Sequence, residues 1–181
     1  MFGKSTISFT IKVSYLKRPK IGGIYRLSMM INTQPMEKEL TGYDFNGDEI
    51  KYKLNLGELK PISISLEEII GYKPKPRKRW DYSIGGFYMI KDTTFNKSYI
   101  GKSRDPLGRL KYNIHLANRN SGIFIDRAMF GRLKDFDFSI VMHYSQANIT
   151  FFNRCLEGLI ERSLIQYFNT NNPIGYNYGK L

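Results

Sequence analysis

Residues 84–102 read IGGFYMIKDTTFNKSYIGK. Residues 84–91 form an apolar, β-favouring run opened by two glycines, and residues 98–102 form a second. Asp92 to Lys97 lies between them, polar and carrying Asn96. Two short strand-like runs around a polar turn spell a β-hairpin. Downstream, Asp105-Pro106 opens a helix, with Asp105 as cap and Pro106 at the first helical position, running to about Asn118. A second helix is expected over Ile123 to Lys134, a third strand over 136–144 (FDFSIVMHY), and a long helix over about Ile149 to Asn169. The apolar stripe of that long helix is Phe152, Leu156, Leu159, Ile160, Ser163 or Leu164, and Tyr167 or Phe168. The chain closes with a loop, NTNNPIGYNYGKL. These elements predict an α/β (α+β) core over residues 83–181, a small three-stranded antiparallel sheet flanked by helices.

Upstream the pattern differs. Ile7, Phe9, Ile11 and Val13 alternate with polar residues, as in a half-buried strand. Ile24 to Ile31 and Ile50 to Leu56 read as further strands, with turns at Gly22-Gly23 and Asn46-Gly47-Asp48. Ser65 to Ile70 reads as a short helix capped by Ser65. Residues 1–72 are therefore expected to form a β-rich region. Residues 73–82 follow as a connector that packs Lys73, Lys75, Arg77, Lys78 and Arg79 around two prolines. Pro74 and Pro76 forbid a regular helix there, so the connector is extended. Its cations suit a phosphate backbone, although a solvated linker would look similar.

The whole chain supports that choice. Its 181 residues carry 28 Lys and Arg against 16 Asp and Glu, a net charge of +12. Such an excess points to a polyanionic partner. A hydrophobic content of 41% excludes a disordered chain. The single cysteine, Cys155, forms no intrachain disulfide, which suits a reducing compartment; its apolar neighbours suggest a core position. With only two histidines, no structural zinc site is expected. The first twenty residues lack the apolar core of a signal peptide, and no window is long enough for a membrane span. The expected setting is cytoplasmic, away from membranes.

Hydrolysis of a phosphodiester needs an oriented water, a proton acceptor and positive charge on the phosphate. Tyr88 and Tyr99 lie on the two hairpin arms, Arg109 on the following helix, and Glu157 and Glu161 one turn apart on the long helix. Spacing alone assigns no roles: tyrosines on strands are commonly packing residues, and a glutamate pair on a helix is commonly a wet face.

The tripeptides GFY at 86–88 and YIG at 99–101 resemble the paired motifs of the GIY-YIG nuclease family. Arg109, Glu161 within ERSLIQYF, and GYN at 175–177 follow in the family's order. The resemblance covers about residues 83–178. It implies a nuclease domain over 83–181 that cuts double-stranded DNA, with Tyr88 orienting or deprotonating water and Tyr99 hydrogen-bonding at the scissile phosphate. Arg109 would bind that phosphate. Glu161 would hold one Mg²⁺, with Mn²⁺ as a substitute. Gly101, Lys102, Asn113 and Asn177 would support the site.

Two departures stand out. GFY replaces GIY, and Asn113 stands where many members carry a histidine; His115, about 200° away around the helix, points elsewhere. Gly23-Ile24-Tyr25 spells a literal GIY, but no YIG follows at the right spacing. Glu157 remains a rival to Glu161. Within the family, a short chain resembles a type II restriction endonuclease of a bacterial or phage-infected cell. Its residues 1–72 would bind DNA and form a homodimer. A homing or phage-type nuclease, and a nucleic-acid-binding protein that no longer cuts, are the alternatives.

Overall fold

In a computed structural model, the structure describes residues 37–44, 46–74, 78, 81–150 and 153–178. The expected strands at Ile7 to Val13 and Ile24 to Ile31, and the literal GIY at 23–25, lie outside them.

Among the described residues, all within the compact unit Pro35–Leu181, are six strands and four α-helices. Strands β1 (Glu37–Tyr43) and β2 (Glu49–Asn55) form a two-stranded antiparallel hairpin. The four-stranded sheet takes the order β3 (Ile62–Ile64), β6 (Phe136–His143), β4 (Gly86–Asp92), β5 (Lys97–Ser103), every neighbouring pair antiparallel. The sheet thus has four strands where the sequence predicts three. The extra one, β3, comes from upstream of the basic connector and is only three residues long, too short to show a period.

The helices are α1 (Leu66–Gly71), α2 (Pro106–Asn118), α3 (Phe124–Ala128) and α4 (Cys155–Tyr167). Two of them start where the caps predict. The Ser65 side chain accepts from Glu68 N, and Asp105 accepts from Gly108 N with Pro106 at the helix start. Two are shorter than expected. Past α3 the chain turns through Gly131 at φ +69 into a 3₁₀ turn, Leu133–Asp135, so the helix does not reach Lys134. Before α4, Asn148 adopts φ +50 and Asn153 Oδ1 accepts from Thr150 N, local geometry that competes with a helix, and α4 starts at Cys155; Phe152 of the expected stripe lies outside the described residues.

Each face of the sheet has its own core. Tyr88 and Ile90 pack with Leu110, Ile114, Ile125 and Met129 of α2 and its surroundings. Phe87 and Ile100 pack on the opposite face with Leu156, Ile160 and Leu164 of α4, together with Leu40 and Leu54 of the outer hairpin. Strand alternation makes this division, since neighbours such as Phe87 and Tyr88 point to opposite faces. No helix among the described residues is long and apolar enough to cross a membrane.

Candidate functional site

Strand β5 is one edge of the four-stranded sheet, and the site wraps around it. Tyr88 and Tyr99 stand on one face, their ring centroids 6.2 Å apart. Tyr88 crosses to Gly101 in register, and a Cβ at Gly101 would fall 2.5 Å from its ring and hydroxyl. Glycine is therefore what lets the Tyr88 hydroxyl lie across the neighbouring strand. From the other face, Lys102 of β5 reaches α4, with its Nζ 3.2 Å from Glu161 Oε2.

The edge is held in place by the closing loop. Asn177 Oδ1 accepts from Ile100 N at 2.9 Å, and its Nδ2 donates to Ile100 O at 2.7 Å. One side-chain amide thus satisfies both backbone groups of Ile100 and stands in for a fifth strand. Thr170 Oγ1 donates to Asn177 Oδ1, and Tyr176 N donates to Ser98 O. Tyr99 and Gly101, on either side of Ile100, are fixed as a result.

Burial dominates the electrostatics. It pushes the Tyr88 hydroxyl far above the usual tyrosine range, and proximity to Tyr99 adds to this. The buried Asn113 side chain and the Arg109 charge pull the other way but do not overcome it. Tyr99 is raised by burial and then by the negative charge of Glu161. Both tyrosines therefore keep their protons in the resting site. Glu157 is also raised, mainly by burial, with Lys102 opposing.

A cleft of about 460 Å³ opens beside this edge, lined by Lys102, Arg104, Arg109, Tyr144 and Glu157 among others. Lys78 of the connector lines it too. Arg109 is exposed at the cleft, its Cζ 6.0 Å from the Tyr112 ring centre. Lys73 lies exposed at the surface; Lys75, Arg77 and Arg79 lie outside the described residues.

Tyr88, Tyr99, Arg109, Glu161 and all four expected supporting residues thus gather around one strand edge. Sequence reasoning missed Asp126, buried on α3, whose charge acts on Arg109 and Tyr99. Its one signal was a helix-capping position, where it accepts from Ile123 N. Tyr144, buried against Tyr82 with a centroid distance of 5.9 Å, was read as the end of a strand. Cys155 is not in the core: it is exposed at the start of α4, where its Sγ donates to Tyr43 O. His115 is exposed, 3.4 Å from Arg119, and takes no part in the site.

The donor set bears on a metal. Among the described residues no three His, Cys, Asp or Glu side chains cluster, so no closed protein cage exists. Glu161 already holds a cation, Lys102, and Glu157 Oε1 is buried without a hydrogen bond one turn away. One accessible carboxylate, with water and phosphate for the remaining positions, fits Mg²⁺.

Residues 84–174 match the family model of the GIY-YIG catalytic domain, half of the chain. The chain belongs to the GIY-YIG family. It carries a GIY-YIG nuclease domain, so its activity class is endonuclease and its substrate class DNA. Among solved structures, the catalytic domain of the homing endonuclease I-TevI is similar at 24% identity, covering 53% of this chain and 99% of that one, with a TM-score of 0.45. No curated protein matches the chain.

Proposed function

We propose that this GIY-YIG protein is a site-specific type II restriction endonuclease. It would hydrolyse double-stranded DNA with one Mg²⁺ per site, acting as a homodimer in the cytoplasm of a bacterial or phage-infected cell. The observation that carries the reading is the meeting of Tyr99, Arg109 and the Lys102–Glu161 pair around the β5 edge, beside a cleft lined with cations.

Each side chain then has a task. The Arg109 guanidinium donates to the oxygens of the scissile phosphate and steadies its charge, and Lys102 adds a second cation. Tyr99 donates a hydrogen bond to the same phosphate. Tyr88 orients the attacking water; because burial keeps its proton in place, it acts as an orienting hydroxyl and not as a standing phenolate, and the proton of that water passes to solvent in the open cleft. Asn113, buried near Tyr88 where many members carry a histidine, opposes the effect of burial on the Tyr88 hydroxyl. Asn177 fixes the strand on which Tyr99 stands. Glu161 holds the metal, which when bound supplies Lewis-acid stabilisation of the phosphate charge.

One chain offers one such constellation, and therefore one strand cut at a time. A two-fold dimer on a palindromic target puts one site on each strand. The β-rich region upstream of the connector is assigned to DNA contact and to dimer formation, apart from the β1–β2 hairpin, which packs on α4.

Supercoiled plasmid incubated with Mg²⁺ or with EDTA tests the proposal. Discrete, reproducible fragments that require Mg²⁺ are expected. A single rare cut would move the assignment to a homing or phage-type nuclease. Binding without cleavage at any Mg²⁺ or Mn²⁺ concentration would sink catalysis altogether.

A further inference from the structure

A cluster of aromatic rings lies on the same face of the sheet as Tyr88 and Tyr99, and the catalytic assignment leaves it unused. Phe124, the first residue of α3, stands 5.6 Å from the Tyr176 ring and 5.0 Å from the Tyr178 ring. Tyr176 is buried in the core behind Tyr88, and its hydroxyl donates to Asp92. Phe124 and Tyr178 are 47% and 60% exposed, and the side chains of Ile123 and Ile174 are exposed beside them. Large apolar side chains gathered on a surface in this way mark a binding site more often than single ones do.

Three observations point to the occupant. A cation lies against the cluster: Lys97 Nζ is 5.9 Å from the Tyr176 centroid, and Arg127, three residues after Phe124, is exposed on α3 and donates to Gly122 O. The buried member of the cluster, against which Phe124 packs, is anchored through Asp92 and through Ser98 O. It is also continuous with the site, since Ser98 precedes Tyr99 and Asn177 lies between the two tyrosines of the cluster. Aromatic faces next to cations, on a chain of net charge +12, suit a base that has left its stack on a polyanion.

We propose that Phe124 and Tyr178 form a stacking surface for a nucleobase unstacked from the duplex beside the cleavage site. This rests on the reading of the chain as a DNA endonuclease. The rings would favour DNA in which a base is already unpaired, with no dependence on the base's identity.

The test uses the full chain with Ca²⁺ in place of Mg²⁺ and two fluorescent duplexes. One carries a single unpaired 2-aminopurine; the other is the same duplex fully paired. The wild type should bind the bulged duplex roughly 5- to 100-fold more tightly, the range expected for one aromatic stack, and should quench the 2-aminopurine. The double variant Phe124→Ala/Tyr178→Ala should lose both the preference and the quenching while its affinity for paired duplex is unchanged. Phe124→Leu/Tyr178→Leu keeps the apolar volume without aromatic faces and should behave the same way. Equal wild-type affinity for the two duplexes overturns the stacking surface and leaves the nuclease reading standing. Retained quenching in the leucine variant overturns it as well. A wild type that binds neither duplex removes the nuclease reading together with this one.

Discussion

Among the described residues two hairpins are built on one plan. Each pairs two seven-residue strands in full register, β1 with β2 and β4 with β5. Each turn is opened by an aspartate whose Oδ1 accepts two backbone N–H groups: Asp44 from Asn46 and Asp48, and Asp92 from Thr94 and Phe95. Local turn chemistry is thus the same. Their fates differ because of what lies along the strands. In β1, EKELTGY, only Leu40 and Gly42 are buried, and the outer hairpin rests on α4 by one face. In β4, GFYMIKD, five of seven positions are buried, and the hairpin is packed on both faces. Chemistry accompanies that double burial. A tyrosine on the outer hairpin, Tyr43, is 61% exposed and sits in water, whereas Tyr88 is desolvated, shifted and aimed across Gly101.

The largest effect that tests this contrast is at Glu161. Glu161→Ala should abolish metal-dependent cleavage of plasmid while a gel-shift assay shows DNA binding retained, since a metal ligand is lost and the phosphate contacts remain. Mixed with wild type, an excess of this variant should raise the yield of nicked circles if the enzyme works as a dimer; only linear product would favour a monomer. Normal cutting by Glu161→Ala with loss in Glu157→Ala would transfer the role by one turn of α4.

Next comes the tyrosine contrast itself. Tyr88→Phe removes only a hydroxyl and should slow cleavage by about 10²- to 10³-fold, the usual loss when one preorganised hydrogen bond at the reacting centre is removed. Tyr43→Phe on the outer hairpin should leave the rate unchanged. Single-turnover rates for both variants, with circular dichroism to confirm the fold, would break the comparison if the two behaved alike.

How much of this was legible in the sequence follows from the same contrast. The β4–β5 hairpin could be read because double burial demands an apolar run, and the run stops at an Asx turn. The bounds of α2 could be read because Asp105 and Pro106 act locally on their own backbone. Strand β1 could not be read: four of its seven residues, Glu37, Glu39, Thr41 and Tyr43, are exposed, and its two buried positions are too few to set a period. The strand β3 owes its existence to pairing with β6, and nothing in Ile62-Ser63-Ile64 shows that partner. In the site, the residues carried by motifs were nameable in advance. Asp126 and Tyr144 were not, because their proximity to the cleft arises from packing between segments far apart in the chain.

A smaller effect separates the two turn aspartates. Burial pushes the Asp92 carboxyl up, but hydrogen bonds from the Tyr176 hydroxyl, Phe95 N and Arg132 outweigh it and hold it below the ordinary range. A carboxylate depressed in the folded state stabilises above its unfolded pKa of about 3.9, and that contribution is lost as the pH falls through the folded value. Asp92→Asn should therefore cost about 1–3 kcal/mol at neutral pH, the usual penalty for disturbing buried polar partners. The gap from wild type should shrink below about pH 4. Urea unfolding at pH 7 and pH 3 would measure it. A gap that stays constant with pH would show that Asp92 acts through shape alone.

The smallest expected effect lies on the outer hairpin and concerns what that hairpin touches. Lys53 pairs with Glu37 at 2.6 Å, but both side chains are largely exposed, and such pairs hold little stability because water screens them and two long side chains must be immobilised. Lys53→Ala should leave the melting temperature and the cleavage rate where they are. Its informative readout is the salt dependence of DNA binding. Each lysine that neutralises a phosphate releases a counterion, so removing it should lower the slope of log K against log salt by about 0.9. Lys78 lines the cleft beside Arg109, and Lys78→Ala should show that drop. Lys53→Ala should not, because β2 supports α4 from the side away from the tyrosines. Equal drops in the two variants would mean that the outer hairpin also lies on DNA, and the division between a supporting hairpin and a chemical one would fail at that point.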